Sequence, residues 1–132
     1  MATFTVKIKV WNPADPSRFA ETEVWADTGA AYSWISRSRL DPLGVQKVRR
    51  LQFRTIEGHI VERDLAAVFL STDGFTGGDN VVLAESGDLE VLGAYSLESL
   101  GLAVDPVHKK LVPLVVALGL TAIGVRTPWQ KK

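Results

Sequence analysis

A chain of 132 residues, 46% of them hydrophobic, holds enough apolar material for one core and too little for two, so residues 1–132 are read as a single domain. Fifteen Lys and Arg offset fifteen Asp and Glu, which removes the summed field that would draw the chain to nucleic acid or an anionic membrane and leaves neutral peptides or small molecules as partners. The absence of cysteine excludes disulfide frameworks, thiol nucleophiles and thiolate zinc sites together, and a reducing, cytoplasmic setting is the expectation.

Phe4, Val6, Ile8 and Val10 alternate with Thr5, Lys7 and Lys9, which predicts a strand with one buried and one wet face. The same alternation is unlike a signal peptide, which needs an apolar run behind a charged patch. Trp11–Phe19 reads as a turn, because Pro13 and Pro16 fix φ and remove donors. Ala20–Ala26 is the return strand, and it runs straight into Asp27-Thr28-Gly29. Residues 32–35 are expected to form a short strand, with Ser36 capping one helical turn that ends near Pro42-Leu43-Gly44. Val48–Thr55 and His59–Leu70 predict a long hairpin turning through Ile56-Glu57-Gly58-His59, with Gly58 taking the positive φ of a tight turn. On its glycines and acids, the stretch STDGFTGGDN, residues 71–80, is assigned to a loop, followed by a strand at 80–85. Leu89–Gly93 is another short strand, and Tyr95–Leu100 a short helix with Ser96 as its cap and Gly101 as its stop. Leu102–Val104 and Lys110–Val112 flank a last turn. The longest uncharged run, Leu111–Val125, is broken by Pro113, Gly119 and Gly124 and falls short of the roughly 20 residues of a spanning helix, so no membrane span is expected. A mostly β domain with one or two short helices results.

Asp27 stands between an apolar strand and a glycine turn, and taken alone the triplet reads as an ordinary turn in which the carboxylate caps free backbone donors. A second apolar strand end, Val91-Leu92-Gly93-Ala94, which opens a helix downstream, gives that acid a context. With these two segments the chain resembles the retropepsin-like (clan AA) single-domain aspartic proteases. The resemblance is carried by Ala26-Asp27-Thr28-Gly29-Ala30, the Ile56–His59 hairpin and residues 91–106, and it spans most of the chain from about residue 4 to Pro113. It implies a closed, barrel-like acid-protease β fold that works as a two-fold homodimer. It also implies Asp27 as the catalytic acid, Thr28 as the residue that ties the two active-site loops together, and Gly29 and Ala30 as the rest of the tight loop. Val91, Leu92 and Gly93 would pack beneath that loop, and Ile56, Glu57, Gly58 and His59 would form the tip of a flap over an extended peptide or protein substrate.

Peptide hydrolysis by carboxylates needs two of them sharing one proton, one activating a water while the other polarises the scissile carbonyl. Neither Ser71-Thr72-Asp73-Gly74 nor Glu85-Ser86-Gly87-Asp88 repeats the strand-end setting of Asp27, so the second carboxylate is expected from a second copy. The apolar stretch 111–123, within a tail of residues 113–132, is a candidate pairing surface. The expected activity is an aspartic-type endopeptidase without metal or cofactor. Its rival from another class is a non-catalytic protein-binding or dimerisation module on the same scaffold.

Several positions depart from the family pattern. Ala31, Tyr32 and Ala94 stand where retroviral members carry acidic residues and an arginine, so that ion-pair network is expected to be missing. Ala30 lacks the hydroxyl that pepsin-like enzymes aim at their carboxylates. Without that donor to the charged form the pH optimum is expected to be weakly acidic, and a rate profile peaking below about pH 3 would contradict it. His59 and His108 are isolated loop residues, read as solvated rather than metal-binding. Ser33 and Ser36, with no histidine at a suggestive position, read as surface or capping residues, and Lys47, Arg49, Arg50 and Arg54 as a solvated strand face. Trp25 and Trp34 bracket the Asp27 loop as packing or pocket-lining residues.

Overall fold

The computed structural model of the protein describes residues 2–115, so the expected pairing surface lies outside the described residues beyond position 115. Strands β1 (Ala2–Asn12) and β2 (Asp15–Asp27) form the first hairpin. Its turn is confined to Pro13 and Ala14 rather than extending from Trp11 to Phe19. Asn12 makes this possible: its Oδ1 accepts from the Ala14 N–H at 2.8 Å while its Nδ2 donates to the Leu43 carbonyl at 2.9 Å. Pro16 is tolerated because, among the described residues, β2 meets a second strand only at Trp25 and Ala26, away from the proline. Along β2, Thr22, Val24 and Ala26 are buried while Glu21, Glu23 and Trp25 face out, as the period-two pattern requires.

β3 (Trp34–Ser36) leads into α1 (Arg37–Leu40), whose N-cap is Ser36, accepting from the Ser38 N–H; a single 3-10 turn, Asp41–Leu43, follows. β4 (Gln46–Arg54) and β5 (Ile60–Thr72) make the long hairpin. The stretch 71–80 is not a loop: β5 turns directly into β6 (Phe75–Ala84). Asp73 and Gly74, with φ of 51° and 81°, supply the two positive values of a tight I′ hairpin turn. The glycines at 77 and 78 make room rather than flexibility. The Ser99 carbonyl oxygen and the Phe69 ring each lie 2.6 Å from where a Cβ would stand on Gly77 and Gly78 respectively. Gly74→Ala should therefore cost about 1 kcal/mol of stability through strain alone, read as a lower denaturation midpoint with an unaltered denaturant slope.

β7 (Val91–Leu92) precedes α2 (Ala94–Leu100), which ends at Gly101 as expected. Ser96 is not its cap; Gly93 holds that position and Ser96 is buried inside the helix. β8 (Leu102–Asp105) and β9 (Lys110–Pro113) form a separate two-stranded sheet. The main sheet has seven strands in the order β1-β2-β7-β3-β6-β5-β4, and β1 also pairs with β5 through Lys9–Trp11, so the sheet curls back on itself. Its concave side encloses a core that includes Val10, Val24, Ile35, Leu70, Leu83 and Leu92, against which α2 sets Leu97 and Leu100. The described chain is thus mostly β with two short helices, and none of its helices is long and apolar enough to cross a membrane.

Candidate functional site

β2 and β7 run parallel, with Trp25 opposite Val91 and Ala26 opposite Leu92, so Asp27 and Gly93 leave the sheet at the same end. Ala26 points into the core; Asp27 follows it at the strand end, partly exposed. The loop then turns sharply. The Gly29 N–H donates to Asp27 Oδ1 at 2.9 Å and the Ala30 N–H to the Asp27 carbonyl at 3.2 Å, so one carboxylate oxygen is oriented by the loop's own backbone. Thr28 and Gly29 are exposed.

The segment after β7 packs under this loop. A Cβ on Gly93 would stand 2.5 Å from the Tyr32 carbonyl oxygen and 2.8 Å from that of Ala30. The two backbones come so close because the start of α2 has free donors to place: Ala94 N–H reaches the Ala30 carbonyl at 2.8 Å and Tyr95 N–H that of Ala31 at 3.0 Å. Val91 and Leu92 are buried directly behind. The structure therefore brings together Asp27, Thr28, Gly29, Ala30, Val91, Leu92 and Gly93.

On the open side, the end of the β4–β5 hairpin contributes Thr55 and Ile56 to the surroundings of Asp27. Its turn is closed by Thr55 N–H to the His59 carbonyl at 2.8 Å and Gly58 N–H to the Thr55 carbonyl at 2.9 Å, with Gly58 at φ 91°. Thr55 and Ile56 share with Asp27, Trp34, Leu89 and Val91 a groove of about 450 Å³. Ile56 is fully exposed; Glu57, Gly58 and His59 in the same turn are exposed too, and those three do not line the groove. The hairpin is anchored close to its turn through aromatics: Phe53 meets Trp34 at 5.0 Å and Tyr32 at 5.9 Å between ring centroids, and Tyr32 meets Tyr95 at 5.2 Å. Trp34 is thus both packing and lining, whereas Trp25 stays 39% exposed.

Two ionic arrangements were not foreseen in the sequence. Arg63, on β5, donates through Nε and Nη2 to Asp88 at 2.7 and 3.0 Å, and Asp88 also lines the groove and accepts from the Glu85 N–H. Ala31, Tyr32 and Ala94 carry no charge, as noted; this pair comes from elements that the sequence separates, and nothing local announces it. The Arg63 guanidinium holds the Asp88 carboxyl below the usual carboxylate range. A carboxyl depressed in the folded state contributes stability above its unfolded value and loses that contribution as pH falls through the lower folded one. Arg63→Met should lower unfolding free energy at pH 7 by about 1–2 kcal/mol, a partly exposed pair being worth less than a fully buried one. The deficit should shrink as pH drops below about 4, and a melting temperature equal to wild type at pH 7 would refute the assignment.

The second arrangement corrects the basic stripe. Arg50 is not merely solvated but donates to Glu62 at 3.1 Å and Asp64 at 3.0 Å, and Asp64 also receives Arg37 at 2.7 Å; Lys47, Arg49 and Arg54 do lie exposed. Ser36 caps α1, but Ser33 is fully buried rather than superficial, with its Oγ accepting from the Gly93 N–H at 2.9 Å. His59 lies in the exposed hairpin turn, and His108 Nδ1 sits 2.8 Å from Asp105 Oδ2. No cluster of three or more metal-binding side chains occurs among the described residues.

No protein-family model matches the chain, and no curated protein matches it. Among solved structures, the solution structure of simian foamy virus (mac) protease is similar to it with a TM-score of 0.48 and 14% identity, covering 72% of this chain and 92% of that one.

Proposed function

We propose that the protein is an aspartic endopeptidase that hydrolyses peptide bonds with a water held between Asp27 and Asp27 of a second copy. What supports this reading above all is the setting of Asp27: a carboxylate at a strand end, one oxygen oriented by the Gly29 N–H, lining an apolar groove to which the hairpin residues Thr55 and Ile56 also contribute. Within such a pair the ionised carboxyl takes a proton from the water as its oxygen bonds to the scissile carbonyl carbon. The protonated carboxyl meanwhile gives its proton to the carbonyl oxygen. Collapse of the resulting diol returns that proton balance and delivers one proton to the departing amine. The chemistry asks for no cofactor.

One chain offers one such carboxylate, so the mechanism requires the homodimer. Thr28 and Gly29, exposed beside Asp27, are the surface a two-fold mate would meet. The β4–β5 hairpin, Ile56 foremost, acts as the flap over an extended substrate, and the groove of Trp34, Ile56, Leu89 and Val91 favours apolar side chains next to the cut bond.

Digestion of a denatured peptide library at weakly acidic pH, with and without pepstatin, tests this directly. The expected result is pepstatin-sensitive cleavage between apolar residues by a species that sediments as a dimer. Peptide binding without turnover would replace the enzyme by a binding module, and cleavage by a strict monomer would remove the shared site.

A further inference from the structure

Behind the Asp27 loop runs a line of polar groups through otherwise apolar packing. The Gly93 N–H lies 2.9 Å from Ser33 Oγ, Ser33 Oγ lies 2.5 Å from Ser96 Oγ, and Ser96 Oγ lies 2.7 Å from Asp79 Oδ2. Both serines are fully buried. The direction of every bond follows by elimination. The Asp79 carboxylate can only accept, so Ser96 gives its one proton there and must accept from Ser33, while the Gly93 N–H can only donate and is taken by Ser33 Oγ. Asp79 Oδ1 is taken by the Asn80 N–H at 2.8 Å.

The line joins three parts of the fold: Gly93 caps α2 and Ser96 lies within it, Ser33 ends the loop that begins at Asp27, and Asp79 is on β6. The Ser33 carbonyl also accepts from the Val82 N–H at 2.8 Å, so the loop is tied to β6 a second time. Apolar residues would fill these positions at lower cost, since hydroxyls buried among side chains stabilise only when fully satisfied. Burial pushes the Asp79 carboxyl up, against the Ser96 and Asn80 bonds that favour its charged form.

We propose that Asp79 is a positioning residue for Asp27: as terminal acceptor it sets the Ser96 and Ser33 hydroxyls, and through them seats the Gly93 amide and the loop that carries Asp27. Its kinetic consequence rests on the peptidase reading above; its structural consequence does not. Such chains stiffen cooperatively, and a reacting group displaced by a fraction of an ångström loses rate rather than substrate affinity.

The test combines amide exchange by NMR with steady-state kinetics on the full chain. In Ser33→Ala and Asp79→Leu the Gly93 amide should exchange at least about tenfold faster while amides in β5 keep their protection. In the same variants kcat should fall about ten- to a hundredfold with KM changed less than about twofold. Asp79→Asn, which keeps an oxygen to accept from Ser96, should recover most of both. Should Asp79→Leu fail to fold, Ser96→Ala cuts the same line and carries the comparison. Unchanged Gly93 exchange in these variants overturns the proposal, as does acceleration that is uniform across the molecule, which would mark a merely structural role. If wild type cleaves nothing, the peptidase reading fails while the exchange of Gly93 still decides the positioning of the loop.

Discussion

Asp27→Asn is expected to lower peptide hydrolysis by about three orders of magnitude or more and to leave the fold in place. The amide keeps the shape of the side chain and an oxygen for the Gly29 N–H, but it neither ionises near neutral pH nor shares a proton with a facing carboxyl. Because the loop is held from behind by Gly93, Ala94 and Tyr95 rather than by the carboxylate alone, stability should stay within about 0.5 kcal/mol of wild type. The same variant also tests the shared site. When wild type and Asp27→Asn are mixed and allowed to exchange subunits, mixed dimers hold one acid and one amide. Activity should then follow the square of the wild-type fraction, and a linear dependence would show that each copy works alone.

Gly93→Ala should be strongly damaging for so small a substitution. At φ −95° and ψ −178° the backbone there is extended and open to any residue, so the cost is steric rather than conformational. The added methyl would meet the Tyr32 carbonyl oxygen at 2.5 Å, its carbon at 2.7 Å and the Ala30 carbonyl oxygen at 2.8 Å, all backbone atoms that cannot rotate away. Overpacking of this kind reaches about 3 kcal/mol. Activity should fall further than stability does, because the atoms forced to move belong to the loop that bears Asp27. Urea denaturation beside a cleavage assay reads both; a loss of less than about 1 kcal/mol would mean that the two segments are less tightly apposed than described.

Both residues stood out in the sequence because their setting is local. Alternation in Ala20–Ala26 and the Gly29 turn put Asp27 at a strand end, and apolar Val91-Leu92 before Gly93 marked the other. Ser36, Gly58 and Gly101 were legible for the same reason, since a cap or a positive φ depends on a few neighbouring residues. The glycines of 71–80 misled because composition cannot distinguish a glycine that bends the chain from one that admits a neighbour. Asp73-Gly74 does the first; Gly77 and Gly78 do the second, for Ser99 and Phe69. Ser96 misled similarly: a serine near a helix start has the chemistry of a cap, yet the N-cap position falls on Gly93, three residues earlier.

What the amino-acid order determined alone, then, is the period-two hairpin, the acid at its end and the capped turns, because each follows from residues adjacent along the backbone. Tertiary structure alone decided that Arg63 grips Asp88, that Ser33, Ser96 and Asp79 join in one line, and that Thr55 and Ile56 share a groove with Asp27. Those partners come from different strands and loops, and their meeting depends on how a curled sheet brings strand ends together, which no local periodicity encodes.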